Sequence, residues 1–464
     1  MTRFVPYRIG RWVVRLGLGF YFSRIERFHA ERVPLEGPVV FASNHPNSLA
    51  DAFVVGTSVP RKVNFVATIQ LFRLKLVRWF LSQCGVIAIN RVKDDPRAMR
   101  SVLDTFEACF RVLERGEAIG IFPEGITHSD PQLKTVKTGT ARMTLELEHR
   151  HGGRLGLRIV PVGLTFSAKE VYRSEVLVHF GEPIRVADCL AGYPERKHEC
   201  IQALNGELER RIQALILHLP RLERSRVVEA VKRLYLDRLR VGNRVVHEPV
   251  SPRAEELLLT QRIASAVDHV FAERPEVAAA FVRKLDRYER WLQRLRLSEQ
   301  DLSSLEHSGI LKTLLWGAGA LLFLPLAVYG WLHRVLPYAF IRWTVTRYAR
   351  TPSDETQVTT ASILSGAIGF GVFYSLCAAI FFRFFGWPAT FWYALSLPVA
   401  SLAAHYYWRE LRRLASSVRA SAVMLRAPLA ARGLAGMRAG LIAEIDAARD
   451  EIERERNRLE RTAS

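Results

Sequence analysis

Acidic residues are in short supply in this chain: 46 Asp+Glu stand against 66 Lys+Arg, a formal net charge of +20. Such a balance suits anionic lipid surfaces and nucleic acid equally, so charge alone does not choose between them. Cysteine is also scarce. The five residues, Cys84, Cys109, Cys189, Cys200 and Cys377, are scattered, odd in number and free of any Cys-x-x-Cys pair. That argues against a zinc site or a disulfide framework and fits a reducing compartment. An uninterrupted apolar run is missing near the start, where Arg3, Arg8, Arg11 and Arg15 punctuate the hydrophobic residues. With no small-residue cleavage site either, a signal peptide is not expected. What is abundant is apolar: 49% of the 464 residues are hydrophobic beside 24% charged, and the excess falls late in the chain. The length leaves room for two or more domains.

Residues 4–22 mix Phe4, Val5, Ile9, Trp12, Val13, Leu16 and Phe20 with arginines every three or four positions. The spacing predicts an amphipathic helix with one basic face, lying in a membrane interface over residues 1–30. From 31 to 190, short apolar runs alternate with helical patterns. Strands are expected at 37–42, 63–67, 86–89, 118–122, 157–162 and 176–180, and helices at about 48–57, 71–82, 96–115 and 137–149. The fold class is therefore α/β, a largely parallel sheet covered by helices on both faces. Residues 191–308 read as a soluble helical region without evident chemistry. Residues 309–407 hold three apolar segments, 311–333, 360–382 and 386–406, each long enough for a bilayer. The placement of Arg334, Arg342, Arg347 and Arg350 against the lone Arg383 suggests a re-entrant hairpin at 311–340, hinged near Pro325 or Gly330, followed by a spanning hairpin. Three ordinary spans are the competing topology. Residues 408–464 read as a charged helical tail, with acidic and basic residues near i,i+4 spacing around 444–461.

The chemistry centres on Ser43-Asn44-His45-Pro46-Asn47-Ser48-Leu49-Ala50-Asp51. It follows a strand and opens a helix, so His45 stands at the mouth of the sheet with Asp51 about one and a half turns on. If His45 lies in the turn before the helix, Asp51 can reach its ring, which is the arrangement of a general base acting on a hydroxyl. The alternative is a histidine in a capping turn and an aspartate on a solvated helix face. Three more stretches reach the same sheet edge. Gly85 to Arg91 ends a strand in a guanidinium suited to phosphate. Phe122-Pro123-Glu124-Gly125 ends another in a turn followed by Thr127-His128-Ser129. Lys137-Thr138-Gly139 sets a cation beside a helix N-terminus.

In that order the stretches resemble the glycerolipid acyltransferases, the glycerol-3-phosphate and 1-acylglycerol-3-phosphate acyltransferases, over roughly residues 30–190. The first motif is matched by Asn44, His45 and Asp51, the second by Gly85 to Arg91, the third by Phe122 to Gly125 and the fourth by Val160-Pro161-Val162. Two departures stand out. Five residues separate His45 from Asp51 where the family usually has four, a longer spacing also found among fungal-type members with C-terminal membrane segments. The Lys that many members have shortly before Leu-Phe is absent around Ala67 to Phe72. The resemblance implies an acyltransferase domain with C-terminal transmembrane helices. His45, held by Asp51, would activate a hydroxyl of glycerol 3-phosphate or 1-acylglycerol 3-phosphate toward the thioester of acyl-CoA or acyl-carrier protein. Asn44, Arg91, Phe122, Pro123, Glu124, Gly125 and Lys137 would bind substrate, with Glu124 bonding a hydroxyl or orienting a cation. Neither a metal nor another cofactor is expected. The expected setting is a membrane, with the catalytic domain on its cytoplasmic face. Acylation of another lysophospholipid or an amino-lipid is the nearest alternative, and a non-catalytic membrane scaffold a more distant one. The apolar segments argue against a nucleic-acid binder.

Overall fold

The computed structural model describes residues 5–68, 78, 85–89, 99–128, 130–169, 171–242, 251–299, 301–302, 310–348 and 358–463. The chain divides into two compact units. The first comprises residues 1–222, 249–257 and 345–364, and the second 223–248, 258–344 and 365–464.

The first unit is built on an eight-stranded sheet: β1 (Arg24–Phe28), β2 (Val39–Ser43), β3 (Val63–Thr68), β4 (Ile87–Ile89), β5 (Ala118–Ile121), β6 (Arg158–Phe166), β7 (Glu175–Phe180) and β8 (Ile184–Arg185). The order is β1-β7-β6-β2-β5-β3-β4, with β8 also on β6. The antiparallel pairings are those of β7 and β8 with β6; β1 pairs parallel with β7 and so also runs against β6. β2 is central, and all five of its residues are buried. Its alternate side chains feed two cores, as expected of a strand covered on both faces. Val40 and Ala42 face one, formed with α3 (Met99–Glu114), α4 (Gly139–Arg150) and α5 (Lys197–Leu215) through Phe110, Leu113, Met143, Leu204 and Leu208. Val39 and Phe41 face the other, formed with α1 (Val5–Tyr21) and α2 (Leu49–Ser58) through Leu18, Val54 and Val55. α5 thus completes the sheet's own core, although the composition had suggested a break at 190. β1 was not expected either. Its sequence alternates charge with apolar residues, and Glu26 is buried and held by Arg24 at 3.0 Å.

α1 forms where the periodicity predicts it, and two of its arginines, Arg11 and Arg15, reach α2 while Arg8 stays exposed. Arg11 donates to the carbonyls of Val59 and Arg61, and Arg15 to that of Thr57. These carbonyls end α2 or follow it, and a helix C-terminus attracts cations. The outward side is apolar: Ile9, Trp12, Val13, Leu16 and Phe20 are exposed.

The second unit is helical. α6 (Ser225–Gly242), α8 (Pro275–Leu295) and α11 (Pro428–Ala463) share a core of Ala230, Leu234, Leu285, Tyr288, Leu292, Leu434 and Leu441. α7 (Pro252–Glu273) precedes α8. Some of the tail's charges pair along it, Arg449 with Asp446 and Asp450, and others reach other helices: Glu444 to Lys284, Asp446 to Arg238, Glu451 to Arg274 and Glu455 to His269. α9 (Ile310–Tyr348) runs unbroken through Pro325 and Pro337, so the hinge expected near Pro325 or Gly330 is not found. α10 (Val358–Arg426) is interrupted at Gly386, whose φ of 72° breaks the helix where the Gly-Trp-Pro turn was expected. Gly330 of α9 lies against α10 so closely that an added Cβ would sit 2.0 Å from the carbonyl oxygen of Ala400. Tyr329 bonds Ser396 at 2.8 Å and His333 bonds Tyr393 at 2.9 Å across the same contact. Among the described residues one helix, Ala361–Val423, is long and apolar enough to cross a bilayer.

Candidate active site

The strand order explains where the site lies. After β2 the chain passes over β5 to β3, whereas after β5 it crosses β2 to reach β6. The loops leaving the carboxyl ends of β2 and β5 are therefore neighbours, and the carboxyl edge is where such sheets bind ligands. The β2 loop carries His45 and the β5 loop carries Phe122 to Thr138.

His45 Nδ1 lies 2.9 Å from Asp51 Oδ2. The added residue in the spacing does not separate the pair. Ser48 adopts φ 52°, turning the chain so that α2 starts at Leu49 with Asp51 in its first turn. A non-glycine residue held there costs about 1–3 kcal/mol, a strain typical of functional turns. Neither Asn47 nor Ser48 caps the helix with its side chain. Instead Asp51 Oδ2 accepts the Asn47 N–H at 2.7 Å. The Asp51 side chain is wholly enclosed, whereas the imidazole keeps 15% of its surface open. Burial pushes the Asp51 carboxyl above its ordinary range, and the His45 hydrogen bond, the Asn47 N–H and the Lys169 charge pull it back. With Nδ1–H on the carboxylate, the open Nε2 is left with a lone pair to receive a proton.

The residues expected on substrate divide into two groups. Asn44, Phe122 and Glu124 are engaged with the protein. Asn44 bonds both backbone groups of Leu164, at 2.7 and 3.0 Å, and ties β2 to β6. The Phe122 ring lies flat on the imidazole, centroids 3.9 Å apart and planes 11° from parallel. Glu124 is fully enclosed: Oε1 accepts the His45 N–H at 2.9 Å, while Oε2 accepts the Lys134 N–H at 2.8 Å and pairs with His128 Nε2. Pro123 is buried, its carbonyl accepting the Lys137 N–H at 2.9 Å. Gly125 and Lys137 remain on the open side. Gly125 turns the chain at φ 65°, a conformation that favours glycine, and the exposed Lys137 ammonium lies beside it, 2.6 Å from where a Cβ would stand. Arg91 lies outside the described residues.

Sequence reasoning missed two members of the site. His128 lies four residues after Glu124 and pairs with it, a signal present in the Thr127-His128-Ser129 turn. Lys169, just past β6, acts electrostatically on both Asp51 and Asp130. It supplies a cation near the site from the end of β6. No three His, Cys, Asp or Glu side chains among the described residues converge on a metal position.

Residues 24–165 match the family model described as Acyltransferase. The chain is 30% identical over 134 residues to glycerol-3-phosphate O-acyltransferase 1 of Saccharomyces cerevisiae, covering 28% of this chain and 18% of that protein. It is 28% identical over 151 residues to a chloroplastic 1-acyl-sn-glycerol-3-phosphate acyltransferase of Arabidopsis thaliana, covering 32% and 38%. With the 1-acyl-sn-glycerol-3-phosphate acyltransferase of Bacillus subtilis it shares 25% over 194 residues, 41% and 87% of the two chains. The chain spans under a third of the length of the yeast relatives it matches. A crystal structure of the 1-acyl-sn-glycerophosphate acyltransferase of Thermotoga maritima is 18% identical, with a TM-score of 0.33 over 45% of this chain and 82% of that one.

Proposed function

Residues 24–165 belong to the glycerolipid acyltransferase family, and from that premise we propose that the chain transfers an acyl group from a thioester donor, acyl-CoA or acyl-carrier protein, to a hydroxyl of glycerol 3-phosphate or its 1-acyl ester. The observation that carries this reading is the 2.9 Å contact of His45 with a fully enclosed Asp51, leaving the opposite nitrogen open. Nε2 takes the proton of the acceptor hydroxyl as its oxygen attacks the thioester carbonyl. The tetrahedral intermediate collapses, the C–S bond breaks, and the thiolate leaves with the proton returned by the imidazolium. Asp51 holds the Nδ1–H tautomer and offsets the imidazolium charge. Lys137 and Lys169, with Arg91, supply the cations for the acceptor's phosphate. Holding donor and acceptor in line contributes about 7–11 kcal/mol at the upper limit. The scheme uses no metal and no cofactor beyond the thioester.

The exposed apolar side of α1 and the helix Ala361–Val423 support a bilayer surface as the setting of this chemistry. There the lipid substrate or product resides, with the catalytic domain on the cytoplasmic face. The test is transfer of labelled acyl groups from acyl-CoA to each acceptor by the purified chain. Activity on glycerol 3-phosphate or its 1-acyl ester that is lost in His45→Ala is the expected result. Unchanged activity in that variant removes His45 from its role, and transfer to neither acceptor sinks the proposal.

A further inference from the structure

The segment Phe122–His128 converges on a single residue. The Phe122 ring covers one face of the His45 imidazole at 3.9 Å. Glu124 Oε1 accepts the His45 N–H at 2.9 Å. The His128 N–H donates to the His45 carbonyl at 3.3 Å, so the base is held at both of its backbone groups. Glu124 Oε2 closes the ring of contacts by pairing with His128 Nε2 and accepting the Lys134 N–H. Two carboxylate oxygens thus serve three protein donors, and the Glu124 side chain has no exposed surface left for a ligand. Electrostatics points the same way, since a desolvated carboxylate facing a phosphate dianion would be repelled by it.

We propose that Phe122, Glu124 and His128 are positioning residues for His45 and do not touch the acceptor, whose phosphate is held by exposed cations, Lys137 first. His45 stands in a loop two residues past the end of β2, where nothing in the strand itself fixes the plane of its ring. Asp51 fixes one nitrogen. The β5 loop fixes the peptide on either side of the Cα and one ring face, which together aim Nε2. The proposal rests on the acyltransferase reading above and adds to it a division of labour between kcat and KM.

The experiment compares full-length variants in acyl transfer from acyl-CoA at varied acceptor concentration. Glu124→Gln keeps the shape but offers one acceptor oxygen to three donors. It is expected to lower kcat by about 10- to 100-fold, the scale of a misplaced base. Its acceptor KM should stay within about twofold, since no ground-state contact is lost. Phe122→Leu should lower kcat by about 3- to 30-fold through loss of the face that stabilises the imidazolium, and Phe122→Tyr should restore it. His128→Gln keeps its backbone N–H on His45 and gives a smaller fall. Lys137→Ala should show the opposite pattern, a raised acceptor KM with kcat retained. Acceptor KM raised more than about tenfold at unchanged kcat in Glu124→Gln or Phe122→Leu would overturn the proposal. If Glu124→Gln does not fold, as judged by circular dichroism, the Phe122 pair decides alone. An unsubstituted chain that acylates neither acceptor takes the acyltransferase reading down and this proposal with it. A KM effect in an active chain overturns only this one.

Discussion

At the scale of single residues, burial of a carboxyl in the candidate site has a cost in stability. Asp51 is wholly enclosed by protein, and its carboxyl is pushed upward by that burial against the pull of His45. A carboxyl whose folded pKa is raised leaves the fold undisturbed at acidic pH and weakens it once the pH rises through the raised value. Asp51→Asn is therefore expected to be more stable than the unsubstituted chain at neutral pH, with the difference closing as pH falls toward about 4. The same variant should lose activity by about 10⁴-fold, because an amide favours the wrong imidazole tautomer. Denaturant unfolding at two pH values and an acyl-transfer assay check both. His179 has the opposite sign. Burial, with His29 and Arg32 adding, lowers it from 6.5 to about 4 against the Leu215 carbonyl's hydrogen bond. Its neutral form supports the fold fully above pH 6.5, and that support drains away as pH falls toward 4. The total is about 3 kcal/mol at roughly 1.4 kcal/mol per unit. His179→Asn should flatten this acid limb of the stability curve, which equilibrium unfolding across the interval measures.

At the scale of elements, two glycines predict opposite outcomes. A Cβ on Gly163 of β6 would stand 2.5 Å from the carbonyl oxygen of Leu215 at the end of α5, where backbone cannot yield cheaply. Gly163→Ala should destabilise the first unit by about 1–3 kcal/mol. A Cβ on Gly440 in α11 meets nothing within 4 Å. Gly440→Ala should stabilise its helix by about 0.5–1 kcal/mol. Thermal unfolding of both variants reads the two signs. The elements also show what a sequence discloses. β2, β3, β5, β6 and β7 were legible because strands buried on both faces must be apolar throughout. β1 was not, since an edge strand can carry Arg24 and Glu26. The facing of α1 was hidden as well. Periodicity reveals that arginines share a side, but only the position of the α2 carbonyls decides that Arg11 and Arg15 are held there. In the site, the pairing of His45 with Asp51 could be read from spacing plus the need for a base. The contacts of Glu124 could not, because a buried carboxylate and a ligand-binding one look alike until its donors are placed.

On the scale of the whole molecule, the apolar segments make the orientation testable. If α10 forms a spanning hairpin broken at Gly386, cysteines substituted for Val345 and Phe384 should react with a membrane-impermeant thiol reagent from opposite sides of sealed vesicles. Reaction from one side only would exclude that hairpin. The charged tail carries a different lesson. Because Glu444, Asp446 and Glu451 reach Lys284, Arg238 and Arg274, the tail is part of the second unit's framework. Its leucines, Leu434 and Leu441, sit in the same core as Ala230 and Leu285. On the ribosome this imposes a delay. The sheet's core on the α3–α5 side is complete once Ile216 has emerged. The bundle begun at Ala230 stays unsealed until Leu434 follows, roughly 10–40 s later at ordinary elongation rates. During that interval the nascent chain carries one closed sheet core and a helical bundle whose leucines still face water.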